Sequence, residues 1–565
     1  MTTIDTDVVI IGAGPVGLTL ANLLGVRGHR AIVLEARDQL IDYPRGVGID
    51  DEAIRTLCTA GLWEQIRPYT VPHHIARMVN GEGKVLAVND PKSQEFGFPR
   101  KHGFIQPLVD KELAAGLARF PDTELRFGHK VIGLEDHDDH IAVTAERHTE
   151  DGAETVTITG RYAVGCEGGS SFTRKWMGVD FEGKSPSTRW VVVDVENDPI
   201  GTPSVYLGAD PRRPYVSIGL PQGIRRWEFM LHDDEPTEKV NDPDFMRSLL
   251  KRHVPDPSAL EIINQRTFTH HGRVATDFRK GRVFIAGDAA HLMPVWLGQG
   301  WNTGIRDATN LSWKLTAVLQ GDADDALLDT YTAERRKHAA DMIDVNMAAG
   351  SVMKMKPLGG WVRDRAASAL NLVPKWKSYF TELRFKPMPR YVSGVVVDQA
   401  TLTPGRARPS FKHGKLAPFI DSAGENSPVG LQFIQPRVNT ASQANVLLDE
   451  VTGDWWTLAT WGTNPTTYLT PDDLDLIRRH RINLISFMPE TQRAWAEKRY
   501  ADSPLPVTVA GDTSGALKDW FDVRACGLVI LRPDRFVAAA SLTQQASRTL
   551  VAVVKAGSLT RTGKA

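Results

Sequence analysis

At 565 residues the chain is too long for one hydrophobic core, so roughly two to four domains are expected. Lys and Arg total 67 against 68 for Asp and Glu, which argues against a nucleic-acid binder or a protein held on an anionic membrane. Cys58, Cys166 and Cys526 form no CxxC and no zinc spacing, which argues against a disulfide framework or structural metal and suits a reducing cytoplasm.

Val8 to Val26 carries no charge and has the length of a membrane span, but Asp5 and Asp7 precede it and four glycines, Pro15 and Asn22 interrupt it. No targeting or membrane segment is expected. The pattern predicts a buried strand over Val8–Ile11, a G-x-G-x-x-G turn at Gly12, Gly14 and Gly17, and a helix to about Arg27. A second strand over Ala31–Leu34 ends at Glu35. Gly12 permits the tight turn, Gly14 lets a pyrophosphate approach the backbone, and Gly17 lets helix and strand pack. The helix N-terminus favours phosphate, and Glu35 stands where a carboxylate accepts ribose hydroxyls. These residues call for an ADP-containing cofactor and leave NAD and FAD both open.

Asp50, Asp51 and Glu52 precede a predicted helix, where acids cap N–H groups and complement the dipole. "YAVGCEGGSSFTRKWMG" (162–178) reads as a strand, a small-residue turn and Arg174, with Cys166 a buried small residue rather than a redox thiol. From about 180 to 275, "RWVVVDVEN", "PYVSIGL" and "RRWEFML" read as strands of an antiparallel sheet separated by Pro and Gly turns. Val283–Ala286 is a second apolar strand, running into Gly287–Asp288 and a loop punctuated by Pro294, Gly298, Gly300 and Gly304. A helix starts near Asn302. A dinucleotide touching two strand-turn-helix units more than 270 residues apart must be extended, which selects FAD. Asp288 and His291 are spaced as an acid/base pair, but no third ligand accompanies them, so His291 reads as structural. A helical stretch follows over about 310–385, then a proline-rich break, then β/α units with Cys526 alone.

With the glycine fingerprint, "YPRGVGIDDEAIRTL", "GFIQPLVDKEL", "GCEGGSSFTRK" and "RVFIAGDAAHLMPVWLGQGWNTGIRDATNLSWKL" resemble the FAD-dependent aromatic hydroxylases, the single-component flavoprotein monooxygenases, over nearly all of residues 5–395. The resemblance implies an α/β fold. Residues 1–180 and 270–395 would form a Rossmann-like FAD-binding domain, 181–269 an inserted antiparallel β-sheet substrate domain, and 400–565 a thioredoxin-like C-terminal domain. Lacking CxxC, that last domain would be structural or dimer-stabilising.

The same resemblance implies bound FAD, with NADH and O2 as cosubstrates, and allows a homodimer. The reaction would be ortho-hydroxylation of a small phenolic substrate to a catechol through a flavin C4a-hydroperoxide. "AHLMPVW" and "RFKPMPRY" are similar to the branch that takes a phenolic acid, 3-(3-hydroxyphenyl)propionate or 3-hydroxycinnamate. Another phenol (resorcinol, a simple phenol or a polyketide phenol) is the alternative. Asp288 would meet the ribityl hydroxyls, the Gly298, Gly300 and Asn302 backbone the flavin pyrimidine edge, and Arg45 and Gln106 the ribityl-phosphate chain. Asp50 matches the position of an acid beside the substrate hydroxyl, with Asp51 its capping neighbour and His102 an alternative base. Tyr206, Tyr215, Pro294 and Trp296 would line the substrate cavity, and Arg189, Arg213 and Arg225 are equal candidates for a substrate carboxylate. Glu167 stands where the family has Asp, so the guidance of the nicotinamide is open.

Overall fold

This computed structural model describes residues 5–149, 152–186, 188–202, 204–382, 386, 388–397, 427–524 and 526–560. The chain divides into two compact units, one of Met1–Ser93, Pro99–Ala308 and Ala339–Lys386, the other of Gln94–Phe98, Thr309–His338 and Pro387–Ala565. The fold is a mixed α/β one with several sheets. The C-terminal domain start expected at residue 400 lies outside the described residues.

The first unit is built on an eight-stranded sheet. Its central strand, Thr6–Ile11, lies parallel to Gly152–Gly165 on one side and Ala31–Leu34 on the other. Covered on both faces, it is apolar throughout, and Val8, Val9 and Ile10 are fully buried. Val283–Ile285 pairs parallel with the far side of Gly152–Gly165, which brings the turn after Ile285 alongside the turn after Ile11. All these parallel strands end towards the same side, where crevices form in open α/β sheets.

A seven-stranded sheet in the same unit runs in the order Ile262–Thr269, Arg189–Val195, Arg225–Met230, Tyr215–Gly219, Val205–Ala209, Ala76–Asn80, Val85–Asn89. It is antiparallel except where Val205–Ala209 meets Ala76–Asn80. The sheet thus reaches beyond 181–269 to recruit two strands from the N-terminal segment. Val191, Val193, Trp227 and Phe229 pack beneath one part of it, with Met246 and Leu250 of helix Pro243–Leu250. Trp190, Val216, Ile218 and Trp296 form a separate cluster. A small sheet of Gly48–Asp50, Lys101–Phe104 and Thr70–Pro72 sets Asp50 directly across from Lys101 and Ile49 across from His102.

The second unit has its own seven-stranded sheet, in which Thr457–Trp461, Asn483–Pro489 and Thr508–Asp512 are parallel neighbours and Leu528–Leu531 and Val537–Ser541 pair antiparallel. Trp313 and Leu327 share its apolar cluster with Trp456, Leu528 and Leu550. Among the described residues no helix is long and apolar enough to cross a membrane.

Candidate active site

One cavity of about 740 Å³ in the first unit runs from the Gly12 turn to the wall of the seven-stranded sheet. At one end Gly12 adopts φ +106°, and a Cβ there would stand 2.7 Å from the Cys166 carbonyl oxygen. A Cβ on Gly17 would stand 2.2 Å from the Gly12 oxygen. Both positions therefore demand glycine for the protein's own packing. Gly14 differs: it has an ordinary φ of −75°, and a Cβ would meet no protein atom within 4 Å. Helix Pro15–Val26 begins there without a side-chain cap, so its first N–H groups face the cavity lined by Gly14 and Pro15. Glu35 accepts the Ala13 N–H at 2.9 Å and the Arg37 N–H at 3.0 Å, which ties the second strand's end to the glycine turn.

Arg45 and Gln106 both line this cavity. Gln106 is the first residue of helix Gln106–Ala115 rather than its cap. Its Oε1 accepts the N–H groups of Arg45 and Gly46 at 3.0 and 2.6 Å, and its Nε2 donates to Asp110 at 3.0 Å. Burial pushes the Asp110 carboxyl up to about 7, against the Gln106 hydrogen bond.

On the opposite side, Gly287 turns at φ +60° and places Asp288 in the cavity wall. Among the described residues the Asp288 carboxyl accepts no hydrogen bond, and crowding by protein raises its pKa despite the pull of His291 and Arg45. His291 is fully buried, and its Nε2 lies 2.6 Å from Asp307, which also accepts the Gly287 N–H at 3.0 Å. His291 therefore braces the turn under Asp288 from behind. Gly298 turns at φ +62°, and helix Gly300–Leu319 opens on the cavity. Asn302 uses its side chain as a tether: it donates to Gly48 at 3.0 Å and Gly298 at 2.9 Å, and accepts the Asp50 N–H at 3.0 Å.

Asp50 lines the cavity and is the N-cap of helix Asp51–Thr59, accepting the Ala53 N–H at 3.1 Å. Its other oxygen is held by the Arg306 guanidinium and by Lys386 at 3.0 Å, and Arg306 also binds Glu52 at 2.8 Å. Against the penalty of burial, the charges of Arg306 and Lys386 hold the Asp50 carboxyl well below the usual range. Asp51 is pushed the other way, to about 7, by burial and by its acidic neighbours. Sequence reasoning missed Arg306 and Lys386. Arg306 carried a signal, since it lies one helical turn beyond Asn302 and so on the same face.

His102 and Asp50 both border the cavity, but from opposite faces of the small sheet. The two residues are offset by one along paired strands, so alternation sends their side chains to opposite faces. Both His102 ring nitrogens are shut off from solvent, the ring lies edge-on to Trp63 at 5.9 Å, and burial pushes its pKa down to about 4. The same rule separates the tyrosines from the cavity. Val205, Leu207, Val216 and Ile218 line it, whereas Tyr206 and Tyr215 are the alternate residues of those strands and do not. Tyr206 instead lies under Arg77 at 5.9 Å, and Tyr215 against His253 at 4.3 Å. Pro294 and Trp296 do line it, Trp296 wedged edge-on against Trp190 and His270, each at 4.9 Å. Arg189, Arg213 and Arg225 are absent from the wall. Arg213 pairs with Glu235, Arg225 with Asp198, and Arg189 bonds Thr237 and the His232 and Asp233 carbonyls. Glu167 lines the cavity and accepts the Thr173 N–H at 2.7 Å in the first turn of the next helix, whose cap is Ser171.

These residues fit an extended dinucleotide. Gly14 and Gly300 leave open space where a Cβ would sit, two helix N-termini face the cavity, and the Asp288 carboxyl has no protein partner among the described residues.

Comparison with known proteins agrees. Residues 5–346 match the family model described as an FAD binding domain, and residues 430–556 match the HcaD C-terminal domain. The chain is 48% identical over 560 residues to a 3-(3-hydroxy-phenyl)propionate/3-hydroxycinnamic acid hydroxylase of Mycobacterium sp. (strain JLS), covering 99% of this chain and 93% of the relative. It superposes on the anhydrotetracycline hydroxylase OxyS from Streptomyces rimosus with a TM-score of 0.70 at 25% identity, covering 98% of each chain. It shares the fold of the flavin-dependent monooxygenase PieE, solved with FAD and substrate, with a TM-score of 0.79 at 19% identity over 98% of this chain and 99% of that one.

Proposed function

The chain belongs to the FAD-dependent aromatic hydroxylases, and from that premise we propose that it hydroxylates a phenolic acid, 3-(3-hydroxyphenyl)propionate or 3-hydroxycinnamate, ortho to the hydroxyl to give a catechol. NADH and O2 are the cosubstrates. The observation that carries the reading is one continuous cavity, which is polar and glycine-lined at one end and walled by Val205, Leu207, Val216, Ile218 and Trp296 at the other.

In this reading the Gly12–Gly17 turn and the N-terminus of helix Pro15–Val26 receive the pyrophosphate, and Glu35 accepts the ribose hydroxyls. Asp288 takes the ribityl hydroxyls, Arg45 and Gln106 border the ribityl-phosphate chain, and the Gly298–Asn302 backbone faces the flavin pyrimidine edge. When bound, FAD supplies the oxygen-activating redox chemistry, and the protein supplies binding, orientation and electrostatics.

The chain's own task is to place the ring and orient its hydroxyl. Asp50 accepts the phenol's hydrogen bond. Held ionised by Arg306 and Lys386, its carboxylate orients the hydroxyl rather than storing its proton. His102 borders the cavity as well, and because burial pushes its pKa down to about 4 this reading gives the phenol to Asp50 rather than to His102. The apolar strand residues and Trp296 keep water from the ring.

The finer architecture belongs to the same reading: a Rossmann-like domain, an inserted substrate sheet and a thioredoxin-like C-terminal domain. The parallel strands Thr457–Trp461, Asn483–Pro489 and Thr508–Asp512 support the last of these. Burial pushes the Cys526 thiol up to about 11, which supports a structural role for that domain. A homodimer completes the reading, supported by the exposed apolar side chains Leu358, Trp361, Val362 and Trp376, and light scattering tests it.

The chemistry is tested by incubating the yellow holoenzyme with NADH, 18O2 and 3-(3-hydroxyphenyl)propionate. A catechol carrying one labelled oxygen is expected. NADH consumption that yields only hydrogen peroxide, or hydroxylation at a position not adjacent to the hydroxyl, would overturn the proposal.

A further inference from the structure

We propose that Lys101 binds the carboxylate of the phenolic acid. This rests on the substrate class proposed above and adds the residue that selects for the acid.

The cations in the cavity wall are Arg37, Arg45, Lys101 and Lys130. Arg37 and Arg45 stand at the nucleotide end, beside Glu35 and Gln106. Lys130 follows His129, whose N–H is bound by the Glu35 carbonyl, so it belongs to that end as well. Lys101 stands apart from them. It is directly opposite Asp50 in the small sheet, and among the described residues its ammonium makes no hydrogen bond or ion pair. The Asp50 carboxylate makes no ion pair with it: three of its four lone-pair sites take Ala53, Arg306 and Lys386, which leaves one for the phenol. Arg306 pairs with Asp50 and Glu52, Lys386 with Asp50, and Arg100 with Asp51, whereas Lys101 has no ion-pair partner among the described residues.

Lys101 is half-buried in the cavity wall, and a partly desolvated cation without a partner is costly, so the protein tolerates it where a ligand can reach it. Burial, with the like charge of Lys386, pushes the Lys101 ammonium down to about 8 against the pull of Asp50, so an arriving anion meets a group that still carries its proton at neutral pH. The ligand chemistry also matches. A carboxylic acid is ionised at pH 7, whereas a phenol with a pKa of about 10 is not, so the acid group is the one that brings a permanent charge. Opposed residues of an antiparallel pair share a face, so Asp50 and Lys101 are presented together. A meta-substituted phenolic acid carries its hydroxyl and its acid chain on neighbouring parts of the ring edge, which suits two such groups side by side.

The test uses the FAD-loaded enzyme and Lys101→Met, Lys101→Arg and Lys101→Gln, with binding followed by calorimetry and by perturbation of the flavin spectrum. The probes are 3-phenylpropionate, which has the acid and no hydroxyl, its neutral counterpart 3-phenylpropan-1-ol, and 3-propylphenol, which has the hydroxyl and no acid. Wild type is expected to prefer 3-phenylpropionate to the alcohol. Lys101→Met should weaken 3-phenylpropionate ten- to a hundredfold, change the two neutral ligands less than twofold, and leave the unliganded Tm equal or higher; Lys101→Arg should retain part of the affinity. Equal weakening of all three probes, unchanged binding of 3-phenylpropionate, or a loss confined to 3-propylphenol would each overturn the assignment, the last by making Lys101 a partner of the phenol oxygen. If Lys101→Met fails to hold FAD, the same comparison is read from Lys101→Gln. A wild-type enzyme with no preference for the acid would bring down the substrate class itself, and that outcome is read before any variant is made.

Discussion

Asp50 has two roles written into one side chain: it caps helix Asp51–Thr59 and it closes a buried charge network. The first was legible, since three acids before an apolar-periodic stretch are a helix start. The second was not, because Arg306 and Lys386 lie 256 and 336 positions away. Asp50→Ala is expected to keep its flavin, lose hydroxylation, and lose about 3 kcal/mol of stability by leaving Arg306 and Lys386 short of a counter-charge. Denaturant unfolding and product analysis on the same sample check both halves; full coupled hydroxylation would remove Asp50 from the reaction. The places of Asp288 and Glu35 in the cavity wall were legible from their positions at strand ends. His291 was legible only as structural, and its Asp307 partner came from the next helix, outside any local pattern.

At the scale of elements, the glycine turn separates what the fold needs from what a ligand needs. Gly17→Val places atoms into the Gly12 carbonyl and should abolish folding of the turn, visible as insoluble or flavin-free protein. Gly14→Ala meets no protein atom, so the fold should stand while FAD affinity falls at least tenfold, about 1.4 kcal/mol. Unchanged FAD titration of Gly14→Ala would contradict the cradle. Helix Gln106–Ala115 offers a pH test through Asp110, whose carboxyl is raised to about 7 from 3.8. A raised carboxyl contributes stability that is fully present below the unfolded pKa and is lost as pH rises through the folded one. Asp110→Asn should therefore gain stability over the parent between about pH 4 and 7 and hold a level advantage above, at most ~4 kcal/mol. A thermal-shift series in which the gain does not vary with pH would contradict this. Strand positions were well read, but facing was not. In Val205–Ala209 and Tyr215–Gly219 both parities carry bulky side chains, so only the paired sheet decides that Val205, Leu207, Val216 and Ile218 face the cavity.

For the whole molecule, the sequence showed two strand-turn-helix units and a separate C-terminal β/α segment, because each has its own hydrophobic period and turn signals. It did not show that Thr309–His338 groups with the C-terminal residues. The reason is chemical: Glu334 is buried between Lys314 and Arg532 at 2.7 Å each, and Trp313 packs edge-on against Trp456 at 5.6 Å. Partners so distant leave no local trace. Removing residues 427–565 would strip Arg532 from Glu334 and Trp456 from Trp313, so the truncated chain should be insoluble or unfolded by circular dichroism. A soluble, cooperatively folding truncation would contradict that. The most direct test of the central claim is the rate of NADH oxidation by the FAD-loaded enzyme across 3-(3-hydroxyphenyl)propionate, 3-hydroxycinnamate, resorcinol and phenol. Marked stimulation by the two acids, with catechol formed in step with NADH used, is the predicted result. Stimulation by resorcinol or phenol with none by either acid would contradict it.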